Sequence, residues 1–530
     1  MKNIIYTLLL LIALGASHLL ADDSMPLDKC GTFATHKITD ELQDNWHSPM
    51  QTYAISPKNR FRVHYDTTGF DAVDVADRDH NGIPDYVDSV CAVFDYVYEV
   101  EVVQMGFPRP KTNYYEPNGV LYDVYLDEEV YDDNAVYGYT IPVGNLGHSY
   151  IVLDNNYSPT DSISQNGKKY QAYYTNGIAA VKVTAAHEYH HAIQFDYGMC
   201  RGSSIPEMCA VGLELLVYPE IADFHQYQNS LLSDFTRYNF GSSLSSDGYA
   251  YGTFFYNIAE RYGVDALKDF WSLVKLDGER SGYRALEKLF LQYNSTLADE
   301  YYYYLQCLYH CGNNAIDGQY WAFAKSLKMP VPTISSSKPY MFSDNLAPYA
   351  MTYFRYLNND GLVWTTADTL ELIFCNADAK EMINRELHGG YSTAQCTALT
   401  SEEPIDADAV EVFPNYWLKT YSPSANMLLL QYAFVGGNVM RVASAYPAPF
   451  DRSKHTELFF PISDDVQLGQ KLLLTIYDGR QTQIASADLI ATTDNGHRVA
   501  KYVPLSLPIG VYTYTIMRGG TDTVGKFVIK

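Results

Sequence analysis

Residues 184–194 read TAAHEYHHAIQ and contain H-E-x-x-H as His187-Glu188-Tyr189-His190-His191. Two histidines four residues apart share a face only when the backbone between them is helical, one side chain above the other. The pattern therefore commits this stretch to a helix and requires the rest of the fold to hold it. Val183, Ala186, Ala192, Ile193 and Phe195 give that helix an apolar body, and Asp196-Tyr197-Gly198 predicts its stop. On such a helix His187 and His191 aim their imidazoles at one point, a donor pair suited to Zn2+. Glu188 falls beside the open coordination position, where a carboxylate can take a proton from an attacking water. His190, next to His191, points elsewhere, towards the surface or into a supporting role.

A third ligand is expected from the following segment, EMCAVGLE, which reads as the start of a second helix with carboxylates at Glu207 and Glu214. Fifteen residues separate His191 from Glu207 and twenty-two separate it from Glu214. Either interval lets the chain turn and bring a helix back over the metal. The carboxylate that does not ligate can hold a ligand histidine through its other ring nitrogen. Residues 249–262 and 264–274 read as two further helices broken at Gly263, and 286–306 continues helical. Tyr249 and Tyr251 are candidates to donate a phenol hydrogen bond to a tetrahedral oxyanion, with core packing as the alternative for each.

A second cation signal precedes all of this. Asp77-Arg78-Asp79-His80-Asn81-Gly82-Ile83-Pro84-Asp85-Tyr86-Val87-Asp88 places side-chain oxygens at positions 1, 3, 5, 9 and 12 of a loop. Gly82 permits the sharp turn, and the Ile83 carbonyl can serve at position 7. This spacing predicts a structural Ca2+ held by Asp77, Asp79, Asn81, Ile83, Asp85 and Asp88. Pro84 suits the start of a helix, and Val87, Val90, Phe94 and Val97 continue it at helical spacing. Ahead of the loop, Phe61, Val63 and Tyr65 alternate as one face of a strand, and 119–126 and 150–153 also read as strands. A sheet edge there can bind an extended peptide beside the metal. The acidic loop 127–134 reads as solvated, or as another cation site.

Met1-Lys2-Asn3 followed by the apolar 4–16 and by Leu19-Leu20-Ala21 reads as a secretory signal peptide, 1–21, cleaved after Ala21 or alternatively after Ala16 or Ser17. No later apolar run reaches transmembrane length, so the chain is expected to be secreted or held at the cell surface, not embedded in a membrane. Eight cysteines in an exported chain can all pair. Nearest-neighbour pairs are Cys200 with Cys209, Cys307 with Cys311, Cys375 with Cys396 and Cys30 with Cys91, although sequence does not fix connectivity. A net charge of −25 argues against nucleic acid as partner.

The 530 residues divide on these signals into an amino-terminal arm or pro-segment (22–59), a mixed α+β domain with the calcium loop and the H-E-x-x-H helix (60–328), a linker (329–347), an antiparallel β-sandwich (348–444) and a carboxy-terminal β-sandwich (445–530). The 48 tyrosines suit extracellular carbohydrate or protein contact, or equally a tyrosine-filled core.

Over 60–263 the chain resembles exported bacterial zinc metalloproteases of the zincin group, through DRDHNGIPDYVD, TAAHEYHHAIQFDYG and EMCAVGLE. The resemblance implies a zincin-like catalytic domain and a zinc endopeptidase with Glu188 as general base. In the gluzincin branch the third ligand lies in an E-x-x-A context, which Glu207 with Ala210 matches and Glu214 does not. The last eighty-odd residues, with YPAPF, LLLTIYDGR, GVYTYTI and GKFVIK, resemble the sorting domain of type IX secretion cargo, which implies the outer-membrane secretion machinery as a partner. A plain β-module is the alternative there. The expected function is thus hydrolysis of protein or peptide substrates. The alternative is a calcium-stabilised adhesin or glycan-binding protein whose metal site is vestigial.

Overall fold

The computed structural model describes residues 29–33, 46–112, 119–131, 134–144, 147–336, 343–357, 369–389, 394–397, 419–422, 427–437, 445, 450–462, 466–478, 482–494, 497–504, 507–518 and 521–530. The expected signal peptide lies outside these residues, as does much of the 22–59 arm. The chain divides into two compact units, Met1–Leu231 with Ser242–Ser295 and Leu232–Gly241 with Thr296–Lys530.

The first unit is built on a five-stranded mixed sheet. Its strands are β1 (Thr52–Ile55), β2 (Phe61–Tyr65), β3 (Tyr122–Asp127), β6 (Gly138–Val143) and β7 (His148–Asp154), in the order β1-β2-β3-β7-β6. Two short ladders lie outside that sheet, β4 (Val130–Tyr131) with β5 (Asn134–Ala135) and β8 (Ser162–Gln165) with β9 (Lys168–Gln171). Strand β2 alternates as its sequence requires, burying Phe61, Val63 and Tyr65. It pairs parallel with β3, and β3 with β7, while β6 runs antiparallel to β7 at the sheet edge. Helix α1 (Asp85–Tyr98) makes the crossover from β2 to β3 and buries Val87, Val90, Phe94 and Val97 completely. It then widens into a π-helical turn, Glu99–Gln104, which carries the buried Glu101.

Helix α2 (Gly177–Tyr197) carries H-E-x-x-H and packs against β6 and β7. It ends where the sequence predicts: Gly198 adopts φ +97°, and its N–H donates to the carbonyls of Gln194 and Phe195. Helix α3 (Ser204–Val217) comes next, then α4 (His225–Ser233), α5 (Ser245–Ala250), α6 (Gly252–Tyr262), α7 (Asp265–Leu276) and α8 (Gly282–Gln292). The stretch expected as one helix over 249–262 is broken at Tyr251, and helix also extends back to Ser245. Close packing accounts for the small residues here. A Cβ on Gly212 would lie 3.0 Å from the Phe255 Cβ, and one on Gly252 would overlap Val211, so α3 and α6 meet through glycine.

The second unit includes α9 (Leu297–Tyr309), so the helical tail assigned on sequence to the 60–328 domain clusters with the carboxy-terminal part of the chain. The expected linker contains strands β10 (Ile334–Ser336) and β11 (Ser343–Leu346). With β12 (Met351–Leu357), β13 (Thr369–Asn376), β14 (Ala394–Thr397), β15 (Lys419–Ser422) and β16 (Met427–Gly437) they form a sheet β10-β12-β13-β16-β15 and a pair β11-β14. Two features depart from an antiparallel sandwich. Strand β10 is parallel to β12, and α10 (Ala379–His388) interrupts the strands, capped by Asp378 accepting from the Glu381 N–H at 2.9 Å. The carboxy-terminal strands β17 (Leu458–Pro461), β18 (Lys471–Tyr477), β19 (Gln483–Asp494), β20 (His497–Tyr502), β21 (Gly510–Arg518) and β22 (Thr521–Ile529) are antiparallel, as expected. They make one curled sheet, not two stacked ones, because the long β19 pairs with β18 through Ile490 and with β20 from Ala491. The curl encloses Phe460, Leu474, Ile476, Tyr514, Ile516 and Phe527. Among the described residues no helix is long and apolar enough to cross a membrane.

Candidate metal centre

Helix α2 is buried on almost every side at its centre, with His187, Glu188, His190 and His191 all at 0 % exposure. Helical spacing stacks His187 and His191 on one face, their Nε2 atoms 3.1 Å apart. Glu207, in the first turn of α3, brings Oε2 to 2.8 Å from His187 Nε2 and 3.3 Å from His191 Nε2. Four ligand atoms at zinc–nitrogen distances sit on tetrahedral edges of about 3.3 Å, so this triangle is close to the size of one face.

The outward ring nitrogens fix the tautomers. His187 Nδ1 donates to Glu214 Oε1 at 2.7 Å, and His191 Nδ1 donates to Gln194 Oε1 at 2.8 Å. Gln194 in turn donates to the Pro206 carbonyl at 3.0 Å, tying α2 to the turn that carries Glu207. With both Nδ1 atoms spent as donors, the neutral rings present two Nε2 lone pairs to a carboxylate, and three acceptors this close require a positive charge among them. Burial works against the His187 cation, yet Glu207 and Glu214 outweigh it and push the ring up to about 10. Burial alone would raise Glu207, but the two histidines hold it down at about 2. The residues present therefore fit a cation bound by two nitrogens and one oxygen. Of the two carboxylates expected as third ligand, Glu207 faces both Nε2 atoms, whereas Glu214 meets His187 at Nδ1, on the other side of the ring.

Glu188 lies on the same helix, beside the ligands. Its Oε2 accepts from Thr140 Oγ1 at 2.8 Å and from Thr32 Oγ1 at 3.2 Å, while Oε1 is buried with no hydrogen-bond partner among the described residues. Tyr249 reaches the site, its hydroxyl 3.4 Å from Glu207 Oε1. Tyr251 is fully buried at the junction of α5 and α6, and the hydroxyl beside Glu207 is that of Tyr249.

His190 does point away from the ligands, but inward and not to the surface. Its Nδ1 lies 3.0 Å from Glu101 Oε2 and its Nε2 3.4 Å from Cys209 Sγ. Burial, reinforced by His191 and His187, pushes His190 well below its ordinary range, and burial pushes Glu101 well above its own.

Sequence reasoning missed Gln194, Thr140 and above all Cys30, whose ligand atom lies with those of His187, His191 and Glu207 within 4.8 Å of one another. A buried Cys/His/Glu cluster that can bind a metal is thus present. The nearest-neighbour rule puts Cys30 in a disulfide with Cys91, but both carry free thiols, as do Cys209 and Cys311. The pairings Cys30–Cys91, Cys200–Cys209 and Cys307–Cys311 are therefore not formed. Cys209 instead accepts from the Trp271 indole N–H at 3.4 Å, and Cys311 donates to the Cys307 carbonyl at 3.2 Å. The Cys375–Cys396 pairing rests on the Cys396 side chain, which lies outside the described residues.

The acidic loop brings carboxylate oxygens of Asp77, Asp79 and Asp85 within 4.8 Å of one another. Gly82 supplies the turn at φ +90°. Asn81 bridges the loop to α1, donating from Nδ2 to Asp88 Oδ2 at 2.7 Å, and its Oδ1 accepts from the Ile83 N–H at 2.7 Å. Asp85 also accepts from Arg78. Loss of hydration works against the Asp77 charge, but the Gly82 N–H, the Asp79 side chain and the Asn81 N–H together hold its carboxyl below the usual range.

No family model matches the chain, no curated protein is similar to it at a significant level, and no solved structure matches its fold.

Proposed function

We propose that this chain is a zinc-dependent endopeptidase, with His187, His191 and Glu207 as metal ligands and Glu188 as general base. The observation that carries the reading is the convergence of two tautomer-fixed Nε2 atoms and one carboxylate oxygen beside the unpartnered Glu188 Oε1. A metal held by His187, His191 and Glu207 would supply the Lewis acidity needed to polarise a scissile carbonyl and to acidify the attacking water. Glu188 takes the proton of the attacking water on Oε1 and gives it to the leaving amine, while the Thr140 hydroxyl holds Oε2 and so fixes the direction of Oε1. Glu214 and Gln194 keep the imidazoles in the tautomer that faces the ion. Tyr249, whose hydroxyl lies 3.4 Å from Glu207 Oε1, is assigned the role of donor to the oxyanion that develops on the carbonyl. An extended peptide would dock along the edge of β6, which lies against α2 and on whose first residue the chain's own residues 29–31 are hydrogen-bonded.

The loop of Asp77, Asp79, Asn81, Ile83, Asp85 and Asp88 is proposed to hold a structural Ca2+ that fixes the start of α1. Export through the amino-terminal signal, and recognition of the curled sheet over 445–530 by type IX secretion machinery, complete the reading. The tyrosines are less informative than their number suggests, since Tyr157, Tyr173, Tyr189 and Tyr227 are core residues.

Glu188→Gln tests the mechanism: zinc content is expected to persist while cleavage of an unfolded protein falls by about 10²–10⁴-fold. A variant that cleaves at the wild-type rate would show that Glu188 is not the base. A protein that binds calcium but no zinc would favour the adhesin or glycan-binding alternative.

A further inference from the structure

Lys29, Cys30 and Thr32 carry polar groups and yet lie buried, at 1 %, 2 % and 0 % exposure. These groups are compensated on the edge of β6, at Asp223 and at the metal centre. The backbone lies on the edge of β6. The Lys29 carbonyl accepts from the Tyr137 N–H at 2.9 Å, the Gly31 N–H donates to the Gly138 carbonyl at 2.9 Å, and Cys30 pairs parallel with Gly138. The Lys29 ammonium sits between Glu214 and Asp223, 2.6 Å from Glu214 Oε2, and so grips the carboxylate that orients His187. Thr32 Oγ1 donates to Glu188 and accepts from the Thr140 N–H at 2.8 Å. The Phe33 ring stands edge-on to His191 at 5.5 Å. Cys30 itself is held by its N–H on the Tyr249 hydroxyl at 3.1 Å, and its sulfur accepts from the Thr32 N–H at 3.3 Å.

We propose that Cys30 is the fourth ligand of the ion held by His187, His191 and Glu207, and that the strap of residues 29–33 thereby keeps the site latent. This rests on the metal-hydrolase reading of the same centre. A hydrolytic zinc needs three protein ligands and one open position, whereas four protein ligands close it. Coordination forms a sulfur–metal bond, releases the thiol proton to solvent and displaces water from the fourth position. The strap also takes the other two things a substrate needs, the hydrogen-bonding edge of β6 and access to Glu188. Lys29 explains why it stays. Withdrawing one partner of a buried ion pair strands the other charge, so leaving Glu214 and Asp223 unpaired is costly. Activation therefore requires the strap to leave, and cleavage of the chain on the carboxy side of Phe33 would cut it from the catalytic unit.

The test uses the full chain with its metal exchanged for Co2+. Thiolate ligation gives the wild type a sulfur-to-cobalt charge-transfer band in the near ultraviolet, and Cys30→Ser and Cys30→Ala are expected to lose that band while retaining the metal. Hydrolysis of casein by the zinc forms is expected to rise at least about tenfold in both variants, the change produced by only about 1.4 kcal/mol of strap affinity. Wild-type protein that binds one cobalt without the band overturns this proposal alone, as does wild-type activity equal to that of the variants. A wild type that takes up no metal overturns the metal reading and this proposal with it. The band is read on the wild type, so it decides the ligand question even if the substitutions impair folding.

Discussion

Gln194→Met is the substitution that most sharply separates a built metal centre from a fortuitous group of polar side chains. Gln194 touches neither the metal position nor any proposed substrate. Its role is to accept from His191 Nδ1 at 2.8 Å and to donate to the Pro206 carbonyl at 3.0 Å. Methionine fills a similar volume and does neither. Loss of a partner that orients a ligand histidine typically weakens metal binding about 10–100-fold, which is about 1.4–2.8 kcal/mol. The fold is expected to lose stability as well, because the buried His191 N–H left unpaired costs about 1–3 kcal/mol. Zinc affinity is measured by competition with a chromogenic chelator, and stability separately by thermal melting, so the two losses are read independently. Gln194→Glu keeps an acceptor for His191 and gives up the bond to Pro206. It is expected to hold zinc within a few-fold of wild type while still melting lower. A folded Gln194→Met protein with wild-type zinc affinity would refute the argument that the Nδ1 partners fix the ligand rings.

Other parts of the first unit give three more expected outcomes. Adding a calcium-selective chelator is expected to lower the melting temperature, since saturation at a hundred times Kd contributes about 2.7 kcal/mol; Asp77→Ala should abolish that response without removing zinc. Gly248→Ala places a Cβ 2.8 Å from the Glu207 Cβ and against the Ser204 carbonyl. Overpacking of that kind costs about 1–3 kcal/mol, and here it should also weaken zinc binding, which calorimetry and metal titration would detect together. Glu128 is pushed up to about 7 by burial and by Asp154, Asp161 and Asp71. A carboxyl raised in the fold favours folding while protonated, and that advantage is lost as pH rises from the unfolded value of about 4.3 towards 7. In calcium-free buffer Glu128→Gln is therefore expected to gain stability relative to wild type across that window, and a pH-independent difference in denaturant midpoint would contradict the assignment.

The helix at the centre was legible because H-E-x-x-H, its apolar body and Gly198 all speak in local sequence, and local spacing is what a helix reads. The same holds for β2, where the alternation of Phe61, Val63 and Tyr65 maps directly onto buried and half-buried sides. Spacing named Glu207 and Glu214 without ranking them, and only the E-x-x-A resemblance favoured Glu207, because their order depends on how α3 turns against α2, and α3 is buried at both positions. Gln194 carried a weak signal, one turn beyond His191 on the same helix. Cys30 carried none: its partners lie more than 150 residues away, and pairing with the nearest cysteine in an exported chain is the rule that misplaced it. In the second unit, β10 and α10 escaped because short strands and a helix of ten residues lie within the noise of alternating patterns. The curl of the carboxy-terminal sheet depends on β19 changing partners at Ile490, which period-two reading does not register.

The metal content of the purified full-length chain tests the central claim most directly. Elemental analysis is expected to find about one zinc per chain, lost in His187→Ala, His191→Ala and Glu207→Ala and retained in Glu188→Gln. A folded wild-type protein that stays free of zinc after dialysis against micromolar zinc, or one whose zinc survives all three ligand substitutions, would contradict it.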